Sequence, residues 1–383
     1  MNPQFSLLWG SMDPAKSTAT MFGPSPPGKP ETDESAQITR EVAKRYWTIL
    51  REHRLDWTEH HRLIRLLGSG SHGLVYLSEG RGSDDFSLPV ALKIFSPERY
   101  PNERDYSEAM RGIARVAAQV ARIQQDNLVD VHHWYDRGWI RVMEMEWIDG
   151  FDLRRLLTTP MFEKLRSRTS PERFREINEV VVTEGPRQPR LKPGVAMAIV
   201  RDCLAALDAL HRAGIIHADV KPANLMLKRT GDAKLVDLGS AFLMAEPPPH
   251  PTCTPAYAAP EVLNAQAWSP RADLASLGYV LVEMLSGVPM FEAISDYPSL
   301  SEAKLALPDQ LPRLLPPDVV RNDLLLGFCR RLVAVDPGAR FVTAEEADLA
   351  QGGAAVFHRQ LVKGDMASEY YNDIRRWLQD LGE

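Results

Sequence analysis

The sequence predicts an α+β fold in two parts, a sheet followed by a mainly helical region, and three observations carry that prediction. Between residues 61 and 147, five short runs follow one another: "RLIRLLG", "GLVYLSEG", "PVALKIF", "NLVDVHHWY" and "WIRVMEMEW". They are rich in β-branched and aromatic residues, and read as a five-stranded antiparallel sheet. One stretch among them, 105–124, sets Ile113, Val116, Val120 and Ile123 at helical spacing and supplies the single helix of this part. After residue 150 the apolar period turns helical.

Taken in order, residues 1–40 are rich in Pro, Ser, Thr and Gly, and the segment 1–57 is expected to be disordered or weakly ordered. A domain over 58–355 follows, with a first lobe at 58–147 and a second at 148–355. In the second lobe "VAMAIVRDCLAALDALHRAG" is an amphipathic helix ending at Gly214. "SPRADLASLGYVLVEMLSG" is another, with Ser269 as cap, Pro270 in the first turn and Gly287 as stop. The charged stretch 159–192 reads as an inserted, solvated surface excursion, or more sharply as a docking surface for a substrate or partner. The extension 356–383 ends in a helix with Tyr370, Ile374, Trp377 and Leu381 on one face, suited to packing on the helical lobe or to binding a partner.

Composition narrows the function. At 383 residues the chain has room for a large core, and its net charge of −6 argues against nucleic acid as the main partner. Three distant cysteines, Cys203, Cys253 and Cys329, suit neither a disulfide framework nor a zinc site and point to a reducing, cytoplasmic setting. No apolar run is long enough to span a bilayer, and "MNPQFSLLWG" lacks the marks of a secretory signal.

The chemistry concentrates in three motifs. In "LGSGSHGLVYL", Gly68, Gly70 and Gly73 are followed by a strand, so the motif is a hairpin and not the turn before a dinucleotide-binding helix. Such glycines let backbone N–H groups approach phosphate oxygens, although an ordinary glycine-rich hairpin fits the motif equally well. In "PVALKIF", Lys93 lies mid-strand and needs an anionic partner if buried; it snorkels if the strand is an edge. In "IIHADVKPANLML", a polar turn between two apolar runs carries His217, Asp219, Lys221 and Asn224. Asp219 can accept a proton from a substrate hydroxyl, with Lys221 beside it to meet a transferred phosphate. Asn224 and, in "KLVDLGSAF", Asp237 offer oxygens to a hard cation.

With these motifs, residues 61–350 resemble the eukaryotic-like serine/threonine protein kinase family, of bacterial type. "TPAYAAPE" (254–261), "DLASLG" (273–278) and "DPGAR" (336–340) extend the resemblance. It implies a two-lobed protein kinase fold, ATP and Mg2+ as cofactors and protein substrates. It also implies Asp219 as base, Lys221 and Lys93 on the phosphates, and Asn224 and Asp237 on the metal. The nucleotide would meet Gly68, Ser69, Gly70, Gly73, Val75, Ala91 and Met226. From "MEWIDGFDL" it would meet Met145 as gatekeeper, backbone groups of Glu146 and Ile148, and Asp152 at the ribose. Glu261 would pair with Arg340, and Asp273 would hold the catalytic loop. Lys221 and Pro255 favour serine and threonine over tyrosine as acceptors, and the "APE" segment weighs against a small-molecule phosphotransferase.

Two substitutions depart from the family. Ala218 stands where many members carry an arginine that binds a phosphate on the activation segment, so phosphorylation there is not the expected switch. Val116 stands where the family places the glutamate that pairs with the strand lysine. Glu108, or failing that Asp237, is the expected partner of Lys93 instead. The loss motivates an alternative function, a catalytically weak pseudokinase serving as a nucleotide-binding scaffold.

Overall fold

The computed structural model describes residues 19–20, 33–52, 61–81, 87–249, 251–362 and 370–382. The five expected strands form one antiparallel sheet, in the order Arg62–Gly70, Gly73–Arg81, Ser87–Phe95, Ile140–Glu146, Val131–Arg137. Its register sets Val75 beside Lys93 and Ala91 beside Met145. The helix Glu103–Val120 starts at Asn102, whose side chain accepts the Asp105 N–H at 2.9 Å. It buries Tyr106, Met110, Ile113, Val116 and Val120 in a core shared with Ala91, Phe95 and Met143.

The first part departs from expectation at its start. Residues 33–52, placed within a weakly ordered segment, form the helix Asp33–Glu52; residues 1–18 and 21–32 lie outside the described residues. Val42, Tyr46 and Leu50 pack on Leu63, Val90, Leu92, Ile94, Ile140 and Val142. The reason lies in the central strand. Side chains alternate along it, so Ala91, Lys93 and Phe95 face one way and Val90, Leu92 and Ile94 the other. Both faces are buried, so both need a cover.

The helical lobe is organised around Pro193–Arg212 and Pro270–Ser286. Gly214 and Gly287 follow them with φ of +73° and +67°, the left-handed stop that glycine adopts freely. Ser269 occupies the cap position of the second helix, but its side chain makes no cap hydrogen bond.

The stretch 159–192 is not the solvated excursion expected. It folds as helices Thr159–Arg168 and Pro171–Val180 and a hairpin of Val182–Thr183 with Arg190–Leu191. Thr158 and Ser170 cap the helices, and Met161, Leu165, Ile177, Val182 and Leu191 are buried. The C-terminal helix Tyr370–Leu381 packs on these two helices and on Pro193–Arg212, with Tyr370, Ile374, Trp377 and Leu381 buried. Arg173 reaches Asp380 at 3.0 Å, and the Tyr371 hydroxyl donates to Asp202 at 2.9 Å. A Cβ on Gly194 would stand 2.1 Å from the Tyr370 ring, so this docking requires glycine there. The helix Ala354–Val362 runs across the boundary expected at 355. Among the described residues no helix is long and apolar enough to cross a membrane.

Candidate active site

The polar turn of "IIHADVKPANLML" is held from below. Ile215–Ile216 pair with Phe242–Leu243, and the chain then turns through Ala218 at φ +65°. The Asp273 carboxylate accepts the N–H groups of His217 and Ala218, both at 2.9 Å, and contacts His211 Nε2 at 2.9 Å. Burial works to raise Asp273, but these donors, His211 first, hold it below the usual carboxylate range. His217 is fully buried; its Nδ1 accepts the Asp219 N–H at 3.3 Å, which leaves Nε2 to donate to the Val236 carbonyl at 3.1 Å. These two contacts hold the ring in one orientation.

Asp219 is the focus of the turn. Its Oδ1 accepts the Thr254 hydroxyl at 2.6 Å, and its Oδ2 takes the Lys221 ammonium at 2.8 Å and Asn224 Nδ2 at 3.1 Å. Lys221 donates to Thr254 as well, at 2.8 Å. Asn224 also donates to the Asp219 carbonyl at 2.8 Å, so its amide oxygen is the atom it can offer a cation. Asp237, also at positive φ, accepts the Gly239 N–H at 2.9 Å.

Lys93 is buried and ion-paired with Asp237. Of the two expected partners it is therefore Asp237; Glu108 is exposed on the helix, and Val116 is packed in the core. Burial works to raise the Asp237 carboxyl, but Lys93 beside it holds it well below its usual range. Under the loop, Arg340 grips Glu261 at 2.6 and 2.8 Å and donates to the carbonyls of Ala334, Arg271 and Val335.

The described chain matches the protein kinase domain model over residues 61–348. The chain belongs to the protein kinase family. At 31% identity over 318 residues it is similar to the serine/threonine-protein kinase PknD of Mycobacterium tuberculosis, with 80% of this chain and 42% of that one covered. At 30% over 301 residues it is similar to PknE of Mycobacterium bovis, with 77% and 46% covered. It thus spans less than half the length of these relatives. The solved PknI kinase domain of Mycobacterium tuberculosis shares the fold, with a TM-score of 0.53, 24% identity, and 79% of this chain and 96% of that chain covered.

Around the cleft, the strand register sets where the residues expected to face a nucleotide lie. Met226 pairs with Asp152 across two strands, and Met145, Ala91 and Val75 line neighbouring strand positions. The Asp152 carboxylate, expected at the ribose, caps the helix Leu153–Leu156 by accepting the Arg155 N–H at 2.8 Å. The Glu146 N–H donates to the Asp130 carbonyl at 3.0 Å, so a backbone contact from Glu146 to adenine would have to use its carbonyl. Its carboxylate is ion-paired with Lys234, a contact sequence reasoning missed. Of the glycines, Gly73 is dictated by the fold: φ is +134°, and a Cβ would sit 2.0 Å from the Ile94 carbonyl oxygen. Gly68 and Gly70 are exposed with open space around them. Between them and Gly73, the His72 side chain is buried against Gly239 and Lys93. This donor set, an ammonium, a carboxylate and an amide oxygen under a glycine hairpin, fits a magnesium–nucleotide complex.

Where an activation-segment phosphate would otherwise find an arginine, Ala218 joins Ile216 and Phe242 in an apolar cluster, with Trp268 edge-on to Phe242 at 5.5 Å. Farther along the segment, Glu246 is ion-paired with Arg115 of the Glu103–Val120 helix.

Proposed function

We propose that this kinase transfers the γ-phosphoryl group of ATP, with Mg2+, to serine or threonine hydroxyls of protein substrates, and that Asp219 is the base. The observation that carries this reading is the Asp219 carboxylate, which already accepts one hydroxyl, that of Thr254, at 2.6 Å. An acceptor hydroxyl brought to the same carboxylate can hand over its proton as its oxygen attacks phosphorus. Lys221 is anchored by Asp219 and Thr254, which sets its ammonium beside the base, where it can meet the phosphoryl oxygens. Asn224 through its amide oxygen and Asp237 through its carboxylate would hold magnesium, which neutralises phosphate charge when bound. Lys93 must then exchange Asp237 for phosphate oxygens. The proposed compartment is the cytoplasm, consistent with three buried, free thiols.

The test is incubation with γ-labelled ATP, Mg2+ and a basic protein as acceptor. Label on serine or threonine that disappears in Asp219→Asn supports the reading. The second reading, a nucleotide-binding scaffold, is favoured by the Lys93–Asp237 pair and the absence of a carboxylate at Val116. Nucleotide binding without transfer in the same assay would select it.

A further inference from the structure

Ala19 and Thr20 form a short strand that belongs to neither lobe's own sheet. It pairs antiparallel with Thr252–Cys253 of the activation segment, Ala19 opposite Cys253 and Thr20 opposite Thr252. Among the described residues these two strands are a sheet by themselves, so Thr252–Cys253 has no other strand beside it.

The receiving edge is narrow and held in place. On one side of Cys253, the Thr252 hydroxyl donates to Ser240 Oγ at 2.9 Å. On the other, the Thr254 hydroxyl donates to Asp219 at 2.6 Å and accepts the Lys221 ammonium at 2.8 Å. Cys253 itself is buried. Pro251 and Pro255 bound the stretch and have no N–H to offer a ladder, so its donors come only from the three residues between them. A backbone edge fixed in this way is a template for one extended chain.

The position of the edge gives it meaning. Cys253 adjoins Thr254, whose hydroxyl rests on the proposed base, and one residue of strand is a rise of only about 3.4 Å. Because the pairing is antiparallel, the Ala19 end of the strand lies towards Thr254 and the Thr20 end away from it. In the sequence, Ala19 is preceded by Ser17 and Thr18, the residue types that the proposed reaction modifies. An extended acceptor that delivers a serine or threonine to Asp219 meets this edge within about one residue of the reaction. Two chains cannot pair with one edge at once.

We propose that the segment around Ala19–Thr20 is an intramolecular competitor of the protein acceptor, filling by strand addition the edge Thr252–Cys253 along which the acceptor backbone docks. The proposal rests on the kinase reading for the acceptor, but not for the strand. Residues 21–32 tether the strand to the helix Asp33–Glu52, which is anchored on the sheet by Val42, Tyr46 and Leu50. Such a tether holds the competitor at high effective concentration and so strengthens a pairing only two residues long. The pairing is with the activation segment and not with Lys93, Asn224 or Asp237, so its effect falls on the acceptor and spares the nucleotide.

The experiment compares the full wild-type chain with two double variants. Ala19→Pro with Thr20→Pro removes both backbone donors of the strand, whereas Ala19→Ser with Thr20→Ser keeps them. Hydrogen exchange is read at the backbone amides of 252–254, together with the Kd, KM and kcat for a basic acceptor protein and the Kd of ATP in Mg2+. The proline pair should speed exchange at 252–254 and lower the acceptor Kd and KM by about three- to tenfold. Its kcat and ATP affinity should stay near wild type, and the serine pair should match wild type throughout. Unchanged exchange in the proline pair would mean that the strand does not form. Faster exchange with an unchanged acceptor Kd would reduce the strand to a structural staple, and either result overturns the proposal. If every chain binds ATP yet none transfers phosphate, the kinase reading fails, and the acceptor Kd still decides whether this segment competes.

Discussion

Among the ion pairs of this chain, Arg340 with Glu261 and Lys93 with Asp237 are built to opposite ends. In the first, both carboxylate oxygens are gripped and the guanidinium also satisfies three carbonyls. Nothing is left over for a ligand, and Arg340 is 1% exposed. In the second, one ammonium meets one carboxylate, and Asp237 keeps 32% of its side-chain surface exposed. A buried pair with every donor and acceptor matched acts as structure. A pair with spare acceptors facing a cleft is held ready for exchange. The comparison separates the floor of the catalytic loop from its chemistry, and it can be broken at several points.

The largest effect is expected at the proposed base. Asp219→Asn should lower phosphoryl transfer by about 10²–10⁴-fold, with ATP affinity nearly intact, because the proposed base would act on the acceptor hydroxyl and not on the nucleotide. Near-wild-type transfer in a labelled-ATP assay would reject its role. Next comes the finished pair. Arg340→Ala strands Glu261 without its charge partner and should cost about 3–5 kcal/mol in urea unfolding. Lys93→Met, by contrast, should cost far less stability while abolishing magnesium-dependent ATP binding. Equal stability losses would erase the distinction between the two pairs.

A smaller effect is expected from restoring the family's missing carboxylate. Val116→Glu offers Lys93 an alternative to Asp237, and should raise kcat/KM for ATP several-fold by leaving Asp237 free for metal. A lowered melting temperature with no gain in rate would mean that the new carboxylate is merely buried.

Under the C-terminal helix, burial pushes Asp202 up to about 6 from an ordinary 3.8, against the Ala233 N–H and Tyr371 hydroxyl that favour its charged form. The folded state therefore holds this proton more tightly than the unfolded chain does. The group favours folding at low pH, and that contribution is lost as pH rises from about 4 through 6. Asp202→Asn should thus be more stable relative to wild type at pH 8 than at pH 5, measured by denaturant unfolding at both. A constant gap would contradict the raised value. The smallest effect is expected at the activation segment: phosphatase treatment and Thr252→Ala should each leave the rate within about twofold, since Ala218 offers a phosphate no cation.

What the sequence determined by itself is chemistry at short range. Asp219, Lys221 and Asn224 lie within six positions, and a turn of that length between two apolar runs brings their side chains together with little help. The strands and the two long helices were legible for a similar reason, since their periods of alternation and of 3.6 are local. The tertiary structure decided what depends on distant surfaces. Lys93 had two candidate partners along the chain, and only the closing of the lobes brought Asp237, 144 positions away, to its ammonium. The segment that forms the helix Asp33–Glu52 read as weakly ordered, and only the fold shows that Val90, Leu92 and Ile94 present a second apolar face that it covers. The charged stretch 159–192 looked solvated because its composition is polar, yet its few apolar side chains fall on the faces that meet the lobe and the C-terminal helix.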